Sequence, residues 1–209
     1  MPTARDEVLR RVRAALADVA PGQVPTVPRD YRQRGDLDRA SLLELLVGRL
    51  EEYGATVAVT ADVRGAAEAA LADAGVRTVV VASDLPRELR PAGIELVVDD
   101  ELDPLDLDAC DAVLTMCAAA CAETGTLALD GGVGQGRRAI TLVPDVHVCI
   151  VRGDQVVETV PELFERLEPS VREGRPIVLV SGPSATSDIE LIRVEGVHGP
   201  RRLVVVVMP

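Results

Sequence analysis

Residues 56–81 read TVAVTADVRGAAEAALADAGVRTVVV, and the alternation in this stretch decides the fold. Two short apolar runs, 56–59 and 78–81, flank an alanine-rich segment, 61–74, which Gly75 ends. The runs are predicted to be strands and the segment between them a helix, because short apolar runs separated by a helical stretch form βαβ units. Such units pair their strands in parallel, so the sequence predicts an α/β fold.

The same alternation continues along the rest of the chain. Helices are predicted over 38–53 and over 161–167, where Pro161 occupies the first turn. Further strands are predicted over 94–98, 112–115, 127–129, 139–142, 146–151, 177–180 and 203–207. The strands between 127 and 151 follow one another too closely for helical crossovers, so hairpins or a mixed region are expected there. Together these elements predict an open, mostly parallel sheet.

The start of the chain differs from this pattern. An amphipathic helix is predicted over 5–19, with an apolar stripe of Val8, Val12, Leu16 and Val19. The segment 21–35 contains three prolines and is predicted to be a linker or a surface arm. The domain organisation is therefore predicted as an N-terminal helix and proline-rich arm over 1–36, followed by one α/β domain over 37–209. We expect the helix to pack on a partner or on a neighbouring subunit.

The composition excludes several classes of function. The chain has 209 residues, and its net charge of −12 opposes binding to the phosphates of nucleic acid. Every basic residue is arginine, which excludes a Schiff-base lysine, a pyridoxal-phosphate anchor and a P-loop lysine. No apolar run reaches the length of a membrane span, and the first 13 residues have no apolar signal core. We therefore expect a cytoplasmic protein with neither a membrane span nor a nucleic-acid partner.

The chain has four cysteines, which are Cys110, Cys117, Cys121 and Cys149. Their spacing matches neither paired zinc ligands nor the ligand run of an iron–sulfur cluster. Three of them fall in or beside apolar stretches and are interpreted as buried small residues. A metal-binding or redox pair of Cys117 and Cys121 is the alternative. The sequence predicts no metal and no cofactor.

The first candidate for chemistry is the turn that begins at Glu123. Glu123 follows a run of small residues, 117–121, and precedes Gly125. A carboxylate held there beside exposed backbone could act as a nucleophile or a base. The alternative is a glutamate in an ordinary surface turn.

The second candidate is the loop over 130–138, which contains four glycines and two arginines. Backbone N–H groups around Gly134 and Gly136, together with Arg137 and Arg138, could cradle an anion. A mobile hairpin tip explains the same composition equally well. His147, in the strand that follows, is interpreted as structural because it alternates with apolar residues.

The third candidate is the C-terminal block over 181–200, which is rich in hydroxyl side chains. Ser187 and Glu190 have the spacing of a capping box, which predicts a helix start there. A helix beginning after a strand and a tight turn would offer N–H groups to an anion. The residues assigned to this site are Ser181, Ser184, Thr186, Asp188 and His198. Asp188 is expected to orient His198; a hydrolase triad with Ser184 is disfavoured because the chain has no G-x-S-x-G elbow.

These segments resemble the LUD-domain family. The resemblance lies in 123–126, 134–138, 142–147 and above all in 181–190 with 196–200. It implies a fold similar to that of sugar-phosphate isomerases and CoA-transferases. It also implies a role in oxidising L-lactate to pyruvate, together with two iron–sulfur partner proteins.

Three functions follow as hypotheses. The first is a non-redox component of a lactate-oxidation system that binds a small anion, with Arg137 or Arg138 pairing with a carboxylate and His198 accepting a hydroxyl proton. The second is an acyl- or CoA-transferase-like enzyme with Glu123 as nucleophile, because Glu123-Thr124-Gly125 has the Glu-x-Gly form of CoA-transferases. The third is an interaction module without a ligand site.

Overall fold

The computed structural model describes residues 3–19, 26–187 and 193–209. The chain divides into two units, residues 1–32 and 33–209. In the first unit, helix α1 spans Ala4–Ala15, and Thr3 and Asp6 form a capping box at its start. None of the residues of α1 is buried. The predicted N-terminal helix is therefore present, and it ends earlier than the apolar stripe indicated.

The second unit contains the remaining helices and all the strands that follow. The helices are α2 (Arg39–Glu52), α3 (Val63–Asp73), α4 (Pro104–Asp108) and α5 (Val160–Arg172). The strands are β1 (Thr56–Val59), β2 (Thr78–Val81), β3 (Glu95–Val98), β4 (Ala112–Met116), β5 (Ala119–Cys121), β6 (Thr126–Leu129), β7 (Val146–Arg152), β8 (Val156–Val157), β9 (Val178–Val180), β10 (Ala185–Ser187), β11 (Arg193–Glu195) and β12 (Arg202–Met208). Among the described helices, none is long and apolar enough to cross a membrane.

The main sheet has six strands in the order β1-β12-β7-β4-β2-β3, and every neighbouring pair is parallel. This confirms the predicted α/β fold with an open parallel sheet. From β2 the chain moves to β3 on one side, and it then returns to β4 on the other side. The loops at the carboxyl ends of β2 and β4 therefore diverge, and such a crevice is where open α/β sheets bind ligands.

A second sheet of four strands, in the order β8-β5-β6-β9, packs beside the main one. Its β5–β6 and β6–β9 pairs are antiparallel and its β5–β8 pair is parallel, so this sheet is mixed. The strands predicted over 127–129 and 146–151 do not form a hairpin with each other, because β6 belongs to this sheet and β7 to the main one. The strand predicted over 139–142 is wrong, because Arg138–Thr141 forms a 3-10 helix. The Arg138 guanidinium donates to the Thr141 carbonyl, and the Ile140 N–H donates to the Arg137 carbonyl, so the apolar residues here lie in a tight turn.

Apolar residues cover both faces of the main sheet. Helix α3 packs on one face through Val63, Ala67 and Leu71, whereas α2 and the second sheet cover the other. All four cysteines are buried and free, as the sequence indicated for three of them. His147 is also buried, and its Nε2 lies 2.8 Å from Thr115 Oγ1 on the neighbouring strand. A buried ring with a hydrogen-bond partner in the sheet fits the structural role predicted for His147.

Glu158 fixes the segment that leads into α2. It is 7% exposed, and its Oε2 accepts the backbone N–H groups of Asp36 and Leu37, each at 2.8 Å. A carboxylate that accepts two N–H groups in a buried place forms charge-assisted hydrogen bonds.

Replacement of Glu158 with glutamine is expected to lower the free energy of unfolding by about 1–2 kcal/mol, because the amide removes the charge and one acceptor from this site. Urea denaturation followed by circular dichroism measures the loss. The control is Glu168→Gln, which breaks an exposed ion pair with Arg172 on α5 and should cost less than about 0.5 kcal/mol. Equal effects of the two substitutions would contradict this role of Glu158.

Candidate functional site

A cleft of about 500 Å³ opens at the carboxyl edge of the main sheet. Its walls come from the loops after β2 and β3, from the segment that follows β6, and from the start of β9. The residues that line it are Ala82, Ser83, Asp84, Asp99, Asp100, Glu101, Leu129, Asp130, Gly131, Gly132, Gln135, Gly136, Arg137, Arg138, Thr141, Arg175, Pro176 and Val178. The cleft therefore lies beside the point where the strand order reverses, which is where the fold favours a ligand.

The loop over 130–138, called here the glycine loop, is held in place by Asp130. One carboxylate oxygen of Asp130 accepts the Gly132 N–H and the Gln135 side-chain amide, at 3.0 and 2.9 Å. In return, Gln135 Oε1 accepts the Asp130 N–H at 2.8 Å. The other oxygen of Asp130 accepts the Ser170 hydroxyl and lies 2.9 Å from Arg175 Nη1. The glycine loop is thus held by hydrogen bonds within itself and to its neighbours, and it is not the tip of a hairpin because β6 and β7 belong to different sheets.

The electrostatic environment of Asp130 favours its charged form. Burial alone would raise the pKa of this carboxyl group, but the hydrogen bonds from Ser170 and Gly132 and the charge of Arg175 outweigh it and lower the pKa. Asp130 therefore stabilises the folded protein in its ionised state.

Gly134 attaches the glycine loop to the main sheet. Its N–H donates to Asp84, in the loop after β2, at 3.0 Å, and its carbonyl accepts the Met116 N–H, at the end of β4, at 2.9 Å. The φ angle of Gly134 is +70°, and a Cβ there would lie 3.0 Å from the Met116 side chain. Only glycine combines this backbone conformation with so close an approach.

Arg137 is engaged by the protein itself. Its guanidinium makes two hydrogen bonds of 2.8 Å with the Asp99 carboxylate and a third with the Leu102 carbonyl. The hydrogen bonds with Asp99 raise the pKa of Arg137. This pairing joins the glycine loop to the end of β3, and it occupies the fork that a ligand carboxylate would need.

Arg138 differs from Arg137 in its hydrogen-bond partners. It is half-buried, and its Nη1 donates to the carbonyl and the hydroxyl of Thr141, each at 2.9 Å, while its Nη2 donates to the His198 carbonyl at 3.2 Å. Within the described part of the chain, no carboxylate lies within ion-pair distance of this guanidinium. Burial lowers the pKa of Arg138, because no neighbouring anion offsets the loss of water. Of the two predicted arginines, Arg138 is the one whose charge is available to an anion.

The C-terminal block reaches Arg138 through its backbone. The His198 N–H donates to Ser184 Oγ at 3.1 Å, and the His198 carbonyl accepts from Arg138. Ser184, His198 and Arg138 are therefore in one hydrogen-bonded chain. The structure thus brings together the glycine loop and part of the C-terminal block, as the sequence predicted.

The helix start predicted from Ser187 and Glu190 would begin beyond residue 187 and lies outside the described residues, but no helix begins directly after Ser184. Residues 185–187 form β10, which pairs antiparallel with β11, so the N–H groups just after Ser184 belong to a strand. In place of a helical turn, β10 makes backbone hydrogen bonds to β11, and the Ser184 N–H donates to the Pro200 carbonyl at 2.8 Å. Asp188 lies outside the described residues, and Thr186 is described only by its backbone.

Glu123 and Ser181 lie in a second group, away from the cleft. Glu123 is exposed in the turn between β5 and β6, which is the opposite end of β6 from Asp130. Ser181 Oγ lies 2.8 Å from Thr126 Oγ1, and Thr126 Oγ1 lies 2.7 Å from Thr124 Oγ1. The structure therefore places Glu123 near Ser181, and neither lines the cleft with Arg138.

Sequence reasoning missed the acidic wall of the cleft. Asp99, Asp100 and Glu101 follow β3, and Glu101 has a φ of +55°, the only positive φ outside glycine in the described chain. The available signal was the acidic run that directly follows a predicted strand. Among the described residues, no group of three or more histidine, cysteine, aspartate or glutamate side chains has the arrangement of a metal site.

Comparison with known proteins places this architecture in one family. The family model described as LUD domain matches residues 100–208. Lactate utilization protein C of Deinococcus radiodurans is 46% identical over 98% of this chain and 95% of its own length. Lactate utilization protein C of Bacillus pumilus is 38% identical over 40% of this chain and 36% of its own length.

A solved structure shows the same fold. The crystal structure of a DUF162 family protein from Deinococcus radiodurans at 1.70 Å resolution is 41% identical and superposes with a TM-score of 0.72. The match covers 83% of this chain and all of the crystallised one. The α/β architecture described above is therefore shared with an experimentally determined relative.

Replacement of Asp130 with asparagine is expected to lower the free energy of unfolding at pH 7 by about 1–3 kcal/mol, since the shape is kept but the charge facing Arg175 is lost. The folded pKa lies below the ordinary value of 3.8, so the contribution of Asp130 is complete above that value and is lost as the pH falls below it.

Urea titrations between pH 7 and pH 2.5 measure both effects. The natural protein should lose stability below about pH 4 more steeply than the asparagine variant. An equal slope for the two proteins would show that Asp130 does not contribute in this way. Asp154→Asn, at an exposed ion pair with Arg152, is the matched control and should change the slope much less.

Proposed function

The chain belongs to the LUD domain family, and on that basis we propose that it is a non-redox component of an L-lactate to pyruvate oxidation system that binds a small carboxylate in the cleft. The family match and the relative named lactate utilization protein C, which is similar along almost the whole chain, support the pathway. The cleft at the carboxyl edge of the parallel sheet supports the binding of a small molecule.

Arg138 is the observation that carries the anion-binding part of this proposal. Its three hydrogen bonds go to oxygens that carry no formal charge, and two of its five N–H groups have no acceptor among the described residues. A ligand carboxylate placed against these groups would supply the missing counter-charge in a partly desolvated position. Charge-assisted bonds of this kind are about twice as strong as neutral ones.

The C-terminal block completes the proposed site. His198 is fixed beside Arg138 by the hydrogen bonds at both ends of its backbone. We propose His198 as the acceptor of the hydroxyl proton of a hydroxy acid whose carboxylate meets Arg138; its imidazole is exposed and is not among the residues that line the cleft, so it would act from the edge of the site. The backbone of the glycine loop would surround the remaining oxygens.

The partners in this proposal are the iron–sulfur proteins of the lactate-oxidation system, which would carry the electrons, and the setting is the cytoplasm. The chain would contribute recognition of the acid and would hold it for those partners. The transferase hypothesis gains no support from the geometry, because Glu123 is exposed and stands at the far end of β6 from the cleft.

Arg138→Gln is expected to weaken binding of L-lactate at least about tenfold, since it removes the counter-charge of the carboxylate. Isothermal titration calorimetry of the full chain with L-lactate measures this. Arg172→Gln, on the exposed surface of α5, is the matched control and should leave the affinity unchanged. Retention of full affinity by Arg138→Gln would reject the anion site.

Glu123→Gln separates the binding function from the transferase hypothesis. We expect this variant to support growth on L-lactate as well as the natural protein does. A loss of growth in a variant that is expressed and unfolds normally would indicate that Glu123 has a chemical role.

The decisive assay of the pathway proposal is reconstitution. Lactate turnover by the two iron–sulfur proteins should rise at least about tenfold when this chain is added.

A further inference from the structure

The cleft is larger and more apolar than L-lactate requires. A volume of about 500 Å³ falls in the range of roughly 300–1,000 Å³ that accommodates drug-sized ligands. L-lactate has only a methyl group beyond its hydroxyl and carboxylate groups, and with its carboxylate at Arg138 it would leave most of this space empty.

Four of the residues that line the cleft are apolar, apart from its glycines. Leu129 and Val178 are directly opposite each other in the antiparallel β6–β9 pair, so their side chains lie side by side. Ala82, at the end of β2, and Pro176, just before β9, line the cleft as well. Leu129 and Ala82 are 5% and 4% exposed and contribute little of this surface, so Val178 and Pro176 present most of it.

The lining of the cleft carries five carboxylates and three arginines, so it favours a ligand with no more than one negative charge. The acid–base pairs Asp99–Arg137 and Asp130–Arg175 neutralise each other. Arg138 is then the only lining cation without an acid partner in the described chain, whereas Asp100 and Glu101 line the same cleft and are exposed. A polyanion such as a nucleotide would meet these carboxylates, so one carboxylate on an uncharged body is the better match.

We propose that the cleft selects 2-hydroxy carboxylates with a bulky apolar side chain, with the carboxylate at Arg138 and the side chain against Val178 and Pro176. This inference rests on the proposed anion site and names the class of ligand that fits it. Burial of a phenyl-sized side chain from water should improve the affinity over L-lactate about 10- to 100-fold.

The test is calorimetric titration of the full chain with L-lactate and with L-3-phenyllactate. Phenyllactate should bind about 10- to 100-fold more tightly, and Arg138→Gln should weaken both ligands by a similar factor. Val178→Thr keeps the side-chain shape but replaces a methyl group with a hydroxyl group, and it should weaken phenyllactate about three- to tenfold more than it weakens L-lactate. Val171→Thr, at an exposed position of α5, is the matched control.

The outcomes separate this inference from the proposed function. If L-lactate binds as tightly as phenyllactate, or if Val178→Thr affects both equally, selection by the apolar residues is rejected and the anion site stands. If neither acid binds, both proposals are rejected. Because the comparison of the two acids uses the natural protein, the result does not depend on how well a variant folds.

Discussion

Gly134 joins the two strands between which the strand order reverses. Its N–H is held by Asp84 after β2, and its carbonyl is held by Met116 at the end of β4. In a parallel sheet the loops after these strands leave in opposite directions, so a crevice opens between them. The glycine loop crosses this crevice, and its conformation is set by a residue with φ of +70° that has no room for a side chain.

Ion pairs then determine which charged groups of the cleft are neutralised. Asp99 and Asp130 are nearly buried, and each takes one arginine, because a buried carboxylate without a partner is costly. These pairs attach the glycine loop to the end of β3 and to the segment that follows α5, so they stabilise the walls of the cleft. Arg138 follows Arg137 directly in the chain but lies in the 3-10 helix, where carbonyl and hydroxyl oxygens accept its hydrogen bonds. The distinction between two adjacent arginines is therefore a consequence of the local backbone.

The sequence predicted those features that depend on local patterns. The strand over 78–81 and the helix over 61–74 were recognisable because apolar periodicity and Gly75 act within a few residues. Ala139–Leu142 was misread because four largely apolar residues fit a strand and a tight turn equally well. The partners of Arg137 and Arg138 could not be predicted, since Asp99 is distant in the chain and becomes a neighbour only when β3 joins the sheet. The residue types of the site were thus visible in the sequence, but their division into paired and unpaired charges was not.

The second sheet explains why the group around Glu123 and Ser181 lies apart from the group around Arg138. Strand β6 runs from the Glu123 turn to Asp130, and β9 runs antiparallel to it, from the cleft at Val178 to Ser181. Each strand therefore has one end at the cleft and one end at the Glu123 turn. The chain returns from Ser181 to the cleft within a few residues, where Ser184 holds the His198 N–H beside Arg138. Since four residues of extended β-strand span about 13 Å, a single small ligand cannot contact both ends of β6. Of the two ends of β6, the cleft end is the one that has an arginine without an acid partner in the described chain, a glycine-rich backbone and a cleft of about 500 Å³, and it is therefore the end at which we propose that a small acid binds.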